Sequence, residues 1–130
     1  REGPLLDRGR PAPMAREPRL ICASAELVDS GPGVRFSLAS EGGEEKGFAI
    51  RYAGVVRGYL NRCPHAWTEL DWNPGEFFDQ SGLNLVCSTH GAVFHPGTGY
   101  CVAGPCRGAS LEPLEIREQE GRVLLLNDDP

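Results

Sequence analysis

A chain of 130 residues has room for one hydrophobic core and not for two, which excludes a second catalytic domain alongside the first. No apolar run reaches eighteen residues, so no transmembrane helix is expected, and seventeen glycines with eleven prolines point to short strands separated by many turns. The net charge of −5 is uneven: residues 20–130 hold eight Lys and Arg against fifteen Asp and Glu, a balance that argues against nucleic acid and suits docking to a basic patch on a partner.

Residues 1–19 hold five arginines and four prolines and little that can bury itself. They read as a flexible basic arm without the apolar stretch of a signal peptide, with Met14 a candidate natural start. The folded domain is expected over 20–130. Leu20–Leu27 opens it, Gly31-Pro32-Gly33 makes a turn, and Val34–Leu38 alternates apolar and polar as a half-buried strand does. Glu41–Lys46 reads as a polar loop. Phe48–Tyr52, the turn Ala53-Gly54 and Val55–Leu60 then form a predicted hairpin that leads straight to Cys63. Phe77-Phe78 and Leu85-Val86 read as two short strands, and Leu114–Arg117 with Val123–Leu126 as a closing hairpin around Glu120-Gly121. The fold class expected from this pattern is all-β.

The chemistry-bearing residues lie between those strands. Cys63-Pro64-His65 is followed, after twenty-one residues, by Cys87-Ser88-Thr89-His90-Gly91. Each end offers one sulfur and one nitrogen donor in a turn-forming segment, so two loops are able to close on a metal from opposite sides. The same four donors suit tetrahedral zinc, although zinc fingers group cysteines with cysteines and histidines with histidines rather than interleaving them. Spacing alone leaves iron-sulfur and zinc both open, beside the plainer reading of four unrelated core residues.

The paired segments resemble the Rieske [2Fe-2S] motif, C-x-H and C-x-x-H, in which two thiolates bind one iron and two imidazoles the other. The likeness continues through Gly91-Ala92-Val93-Phe94-His95-Pro96-Gly97-Thr98-Gly99-Tyr100-Cys101 and the Gly104-Pro105 pair, and covers roughly residues 20–127. It implies a Rieske fold with antiparallel base sheets and a small cluster-binding subdomain at about 62–105. Cys63 and Cys87 would hold the inner iron and His65 and His90 the outer, more exposed one. The interval between the two loops is longer than in most Rieske ferredoxins.

Mixed ligation places such clusters at roughly −150 to +300 mV, against about −400 mV for all-cysteine plant-type clusters. High-potential relatives carry an extra cysteine in each loop and two hydroxyls aimed at cluster sulfurs. Here Trp67, Thr68 and Thr89 stand where the cysteines would be, and Ala92 and Phe94 where the hydroxyls would be. The resemblance therefore implies a low-potential, ferredoxin-type carrier that takes electrons from a flavoprotein reductase and passes them to a terminal oxygenase. It would be an electron-transfer component, a cytoplasmic monomer or a member of a transient complex, rather than an enzyme on its own. Two other readings stand beside this: a small Rieske subunit of another oxidoreductase complex, and a non-redox regulatory module with structural zinc.

The remaining candidates carry less. Trp67 and Trp72 fit core filler or a docking surface; Glu69 and Asp71 either lower the potential or are simply solvated; His95 is a loop residue. Cys101 and Cys106 are close enough in sequence to bridge but are expected as free thiols, with Cys22 left over. No dinucleotide fingerprint or phosphate-cradling loop appears, so neither NADH nor flavin is expected to bind.

Overall fold

A computed structural model describes residues 18–40, 43–64, 69–71, 73–88, 91–106 and 108–126. Residues 1–17 of the expected arm, both tryptophans, His65, Thr68, Thr89 and His90 lie outside those residues.

The described residues contain ten strands, no α-helix, and one short 3-10 turn at Ser24–Glu26. The strands are β1 (Arg19–Ala23), β2 (Val34–Ser40), β3 (Gly43–Tyr52), β4 (Val55–Leu60), β5 (Leu85–Val86), β6 (Val93–Phe94), β7 (Cys101–Ala103), β8 (Pro113–Leu114), β9 (Ile116–Gln119) and β10 (Arg122–Leu125). They form three antiparallel sheets in the orders β1-β10-β9, β2-β3-β4-β8 and β5-β6-β7. The all-β expectation holds, and no helix among the described residues is long and apolar enough to cross a membrane.

The central strand β3 explains how the sheets stack. Phe48 and Ile50 point into one core with Tyr59, Phe77, Leu85, Phe94 and Leu111, while the intervening Ala49 points into another with Cys22, Leu27, Val56 and Val123. A strand covered on both faces reads as a continuous apolar run, which is what Phe-Ala-Ile is. Phe48 and Phe77 stack with centroids 3.9 Å apart, so the first core joins the base to the segment between the two ligand loops.

The expected hairpin is present with its two-residue turn, Ala53 at φ 52° and Gly54 at φ 82°, as a tight right-twisting connection requires. Asp29 accepts the Gly54 amide at 2.9 Å and steadies that turn.

Four boundaries differ from the sequence reading. Gly43–Lys46 is strand and not loop, because β2 continues to Ser40 and supplies an in-register partner from Ser40↔Gly43 onward. Ladder pairing overrides the weak β-propensity of Gly and Glu. Phe77-Phe78 makes one isolated bridge, Phe78↔Leu85, since Asp79 turns the chain by accepting amide and hydroxyl hydrogens from Gly82 and Ser81. Leu114 pairs with β4 and not with the final hairpin, which runs Ile116–Gln119 against Arg122–Leu125. Arg19, expected in the arm, already pairs with Leu125 in β1.

Arg51 fastens the base together. Its guanidinium donates to the Leu27 carbonyl at 2.7 Å and grips both carboxylate oxygens of Glu118 at 3.0 and 2.6 Å. The Arg51 hydrogen bonds hold the Glu118 carboxyl down to about 2 from an ordinary 4.5. A depressed carboxylate stabilises the fold above its unfolded value and loses that contribution as pH falls toward the folded one. Glu118→Gln is therefore expected to lower stability by about 1–2 kcal/mol at neutral pH, after discounting for solvent screening. In thermal melts against pH, the gap between the two proteins should close as pH falls from 4.5 toward 2. A gap that does not change with pH would remove the ion pair as its cause.

Candidate metal centre

β4 ends in a residue that builds the first loop. Asn61 follows Leu60, its amide bonded to the Lys46 carbonyl at 2.9 Å, and its buried side chain reaches ten residues ahead. Asn61 Oδ1 accepts the Leu70 amide at 2.8 Å, and Nδ2 donates to Asp71 Oδ1 at 2.9 Å. Asp71 Oδ2 accepts the Gly75 amide at 2.9 Å and lies 3.5 Å from Arg35 Nε. Asp71 is thus a buried brace and not a solvated charge, whereas Glu69 is exposed and pairs with Arg35 Nη2 at 2.8 Å. Between Asn61 and this brace the chain carries Cys63, fully buried.

The second loop closes on itself. The Cys87 amide donates to the Ala92 carbonyl and the Gly91 amide to the Cys87 carbonyl, each at 2.8 Å. The Ser88 amide donates to the Leu70 carbonyl at 2.9 Å, which ties this loop to the first. Cys87 is fully buried and shares a core cluster with Cys63. A third loop, after β7, lies on the second: Gly104 has φ +96°, and a Cβ there would stand 2.8 Å from Ala92 Cα. Only glycine permits that approach.

Tyr59 joins the base to this subdomain by donating its buried hydroxyl to the Pro96 carbonyl at 2.7 Å, and burial pushes its phenol upward. His95 is an exposed loop residue whose Nδ1 accepts the Gly97 amide at 3.0 Å, so its own turn occupies that nitrogen. Ala92 and Phe94 are buried and bring no hydroxyl to the loops.

A third and fourth sulfur lie in the same core cluster as Cys63. Cys101 and Cys106 are buried thiols with sulfurs 3.3 Å apart, not joined as a disulfide. Burial, then the Cys101 and Cys63 sulfurs, push the Cys106 thiol up to about 12. The spacing of Cys101 and Cys106 in sequence hinted at their proximity; nothing in it signalled that they share a buried cluster with Cys63. Nor did anything signal the Asn61–Asp71 brace, since an Asn and an Asp ten residues apart have no characteristic pattern.

Of the four sequence-predicted ligands the structure describes Cys63 and Cys87, and it brings their loops together. Among the described residues no three Cys, His, Asp or Glu side chains converge as a metal site, so Cys63, Cys101 and Cys106 are not one by themselves. The described positions fit an iron-sulfur cluster: two buried thiols, at the start of two loops pinned to each other, are soft donors shielded from water.

Comparison with known proteins agrees. The model of the Rieske [2Fe-2S] domain matches residues 18–119. No curated protein matches by sequence. The fold is similar to the ferredoxin of carbazole 1,9a-dioxygenase from Nocardioides aromaticivorans IC177, at 22% identity and TM-score 0.66 over 85% of this chain and 97% of that one. The ferredoxin of Sphingomonas yanoikuyae B1 is similar at 23% identity and TM-score 0.65, over 88% of this chain and all of that one. The terminal oxygenase of the Nocardioides system is similar at 19% identity and TM-score 0.69, over 88% of this chain but 31% of its own. With three sheets, two pinned cysteine loops and a family match spanning most of its length, this chain belongs to the Rieske [2Fe-2S] domain family, whose cofactor is a Rieske-type [2Fe-2S] cluster.

Proposed function

We propose that the chain is a low-potential one-electron carrier, reduced by a flavoprotein reductase and oxidised by a terminal oxygenase. In this reading Cys63 and Cys87 hold the inner iron and His65 and His90 the outer one. The observation that carries it is the pair of buried cysteine loops joined through Ser88 and Leu70 within a Rieske domain. When bound, the cluster supplies a centre that stores one electron. The protein's own part is to keep that centre from rearranging: the Asn61–Asp71 brace, the closed Cys87–Ala92 loop and the Tyr59–Pro96 bond each limit movement of a ligand segment.

Apolar Ala92 and Phe94 support the low-potential assignment, because hydrogen bonds to cluster sulfurs favour the reduced state and neither side chain can give one. The acidic balance of residues 20–130 suits a basic docking patch on the partners, with electron-transfer rates that fall as salt screens the attraction. Free Cys101 and Cys106 thiols fit a reducing compartment such as the cytoplasm.

The test is the purified protein's visible spectrum and its iron and sulfide content, followed by reduction with a flavoprotein reductase and NADH and reoxidation by a Rieske oxygenase. A brown protein bleached by dithionite and turned over by both partners is expected. A colourless protein with stoichiometric zinc would replace the carrier with a structural module. Ligand assignment has its own measurement. His65→Cys should retain a cluster but lower its potential, because a thiolate adds negative charge at the outer iron; an unchanged potential would contradict His65 as a ligand.

A further inference from the structure

We propose that Cys101 and Cys106 are a site of reversible oxidation, closing to a disulfide that locks the third loop down on the second cysteine loop. The site does not depend on the electron-carrier reading, because neither sulfur is among the ligands assigned there.

Folding has already brought the two sulfurs together. Cys106 Sγ donates to Cys101 Sγ at 3.3 Å, and a disulfide bond of about 2.05 Å needs a further approach of about 1.3 Å. The backbones are held for it: the Cys101 amide donates to the Ala109 carbonyl at 2.8 Å and the Ala109 amide to the Cys106 carbonyl at 2.9 Å. Cys101 lies in β7, paired with Phe94 of β6, so Cys106 is the partner that moves. Nearby Gly108, at φ +95°, has nothing within 4 Å of where a Cβ would stand, which leaves that segment room to shift. Little is given up in return. A thiol is a weak donor, and the Ala103 carbonyl that loses the Cys101 hydrogen at 3.2 Å belongs to an exposed residue and turns to water.

Burial sets the order of events. Cys106 is 7% exposed and follows the exposed Gly104-Pro105 pair, whereas Cys101 is 0% exposed, so an oxidant reaches Cys106 first. With a small-molecule disulfide as that oxidant, the Cys106 sulfur attacks one of its sulfurs, releases the first small thiol and is left in a mixed disulfide. Cys101 then attacks the Cys106 sulfur and releases the second. Two hydrogens and two electrons pass from the protein thiols to the two small thiols set free.

The new bond closes Val102–Pro105 into a ring that already lies on the second loop, since a Cβ on Gly104 would stand 2.8 Å from Ala92 Cα and 3.0 Å from the Gly91 carbonyl oxygen. A closed ring has fewer ways to lift away. The centre at Cys87 is thereby covered more firmly when the surroundings turn oxidising.

The test brings the metal-loaded protein to equilibrium with glutathione disulfide, blocks the remaining thiols and maps the peptides by mass. Burial holds the Cys106 thiol protonated at neutral pH, so exchange is slow and the end state rather than the rate is read. A peptide linked Cys101 to Cys106 is expected, reversed by dithiothreitol, and retained in Cys22→Ala, whose sulfur lies in a different core. Cys101→Ala should keep glutathione on Cys106, whereas Cys106→Ala should leave Cys101 unmodified. The linked wild-type protein should surrender its metal to a chelator at least about threefold more slowly than the reduced protein. No linked peptide at equilibrium would overturn the site, and glutathione on Cys101 in Cys106→Ala would overturn the order of attack. Metal lost as fast from the linked protein as from the reduced one would overturn the lock.

Discussion

Cys87→Ala is expected to abolish the visible absorption of the protein and its bound iron and sulfide, while Cys22→Ala leaves all three at the wild-type level. Both cysteines are buried, so burial does not separate them; position does. Cys87 begins a loop whose amide and carbonyl are both committed within Cys87–Ala92, so its backbone holds a fixed direction. Cys22 lies in β1, in the core between the base sheets. Because the free energy of metal binding is also folding free energy, a missing thiolate costs the subdomain its order as well as its colour. Cys63→Ala should behave as Cys87→Ala does. Cys101→Ala and Cys106→Ala should stay coloured, since neither thiol is among the proposed ligands. Loss of colour in both of those variants, with tolerance at Cys63 or Cys87, would replace the mixed ligand set with a different group of cysteines. Iron and sulfide assays on five single variants decide it.

How far the sequence could be read follows from what each residue answers to. The Phe48–Leu60 hairpin was legible because its two apolar runs and its Ala53-Gly54 turn are local properties of the chain. Gly43–Lys46 was not, because nothing in Gly-Glu-Glu-Lys favours a strand; it is one only because β2 lies alongside. Leu114 and Ile116 look like one strand in sequence and belong to two sheets, since the crossover between them is decided by which neighbours, β4 or β10, have open edges. The cysteine loops were legible because ligand type and spacing are local too. Which buried groups brace them was not, as the partners of a buried polar side chain come from the folded arrangement of distant segments.

Glu69 and Asp71 make that last difference measurable. Two residues apart and of the same charge, they are alike in sequence, yet the Glu69 side chain is 44% exposed and the Asp71 side chain 0%. Glu69→Ala removes one exposed contact to Arg35, and such pairs contribute about 0–1 kcal/mol. Asp71→Ala removes the acceptor for Asn61 Nδ2 and the Gly75 amide and the counter-charge of Arg35 Nε, a buried nitrogen with no hydrogen-bond partner of its own. Breaking a buried network by deleting its charged member costs about 3–5 kcal/mol, since the groups left behind stay desolvated and unpaired. For a domain of this size that corresponds to a fall of about 10–20 °C in thermal midpoint. The loss should reach the metal centre, because Asn61 also accepts the Leu70 amide and the Leu70 carbonyl in turn accepts Ser88 from the second cysteine loop. The cluster of Asp71→Ala is therefore expected to bleach in air faster than that of Glu69→Ala, at a temperature where both proteins remain folded. Melting curves and bleaching rates for the two variants side by side test both steps. Equal midpoints would mean that Asp71 braces nothing, and equal bleaching despite unequal midpoints would mean that the brace stops short of the cysteine loops.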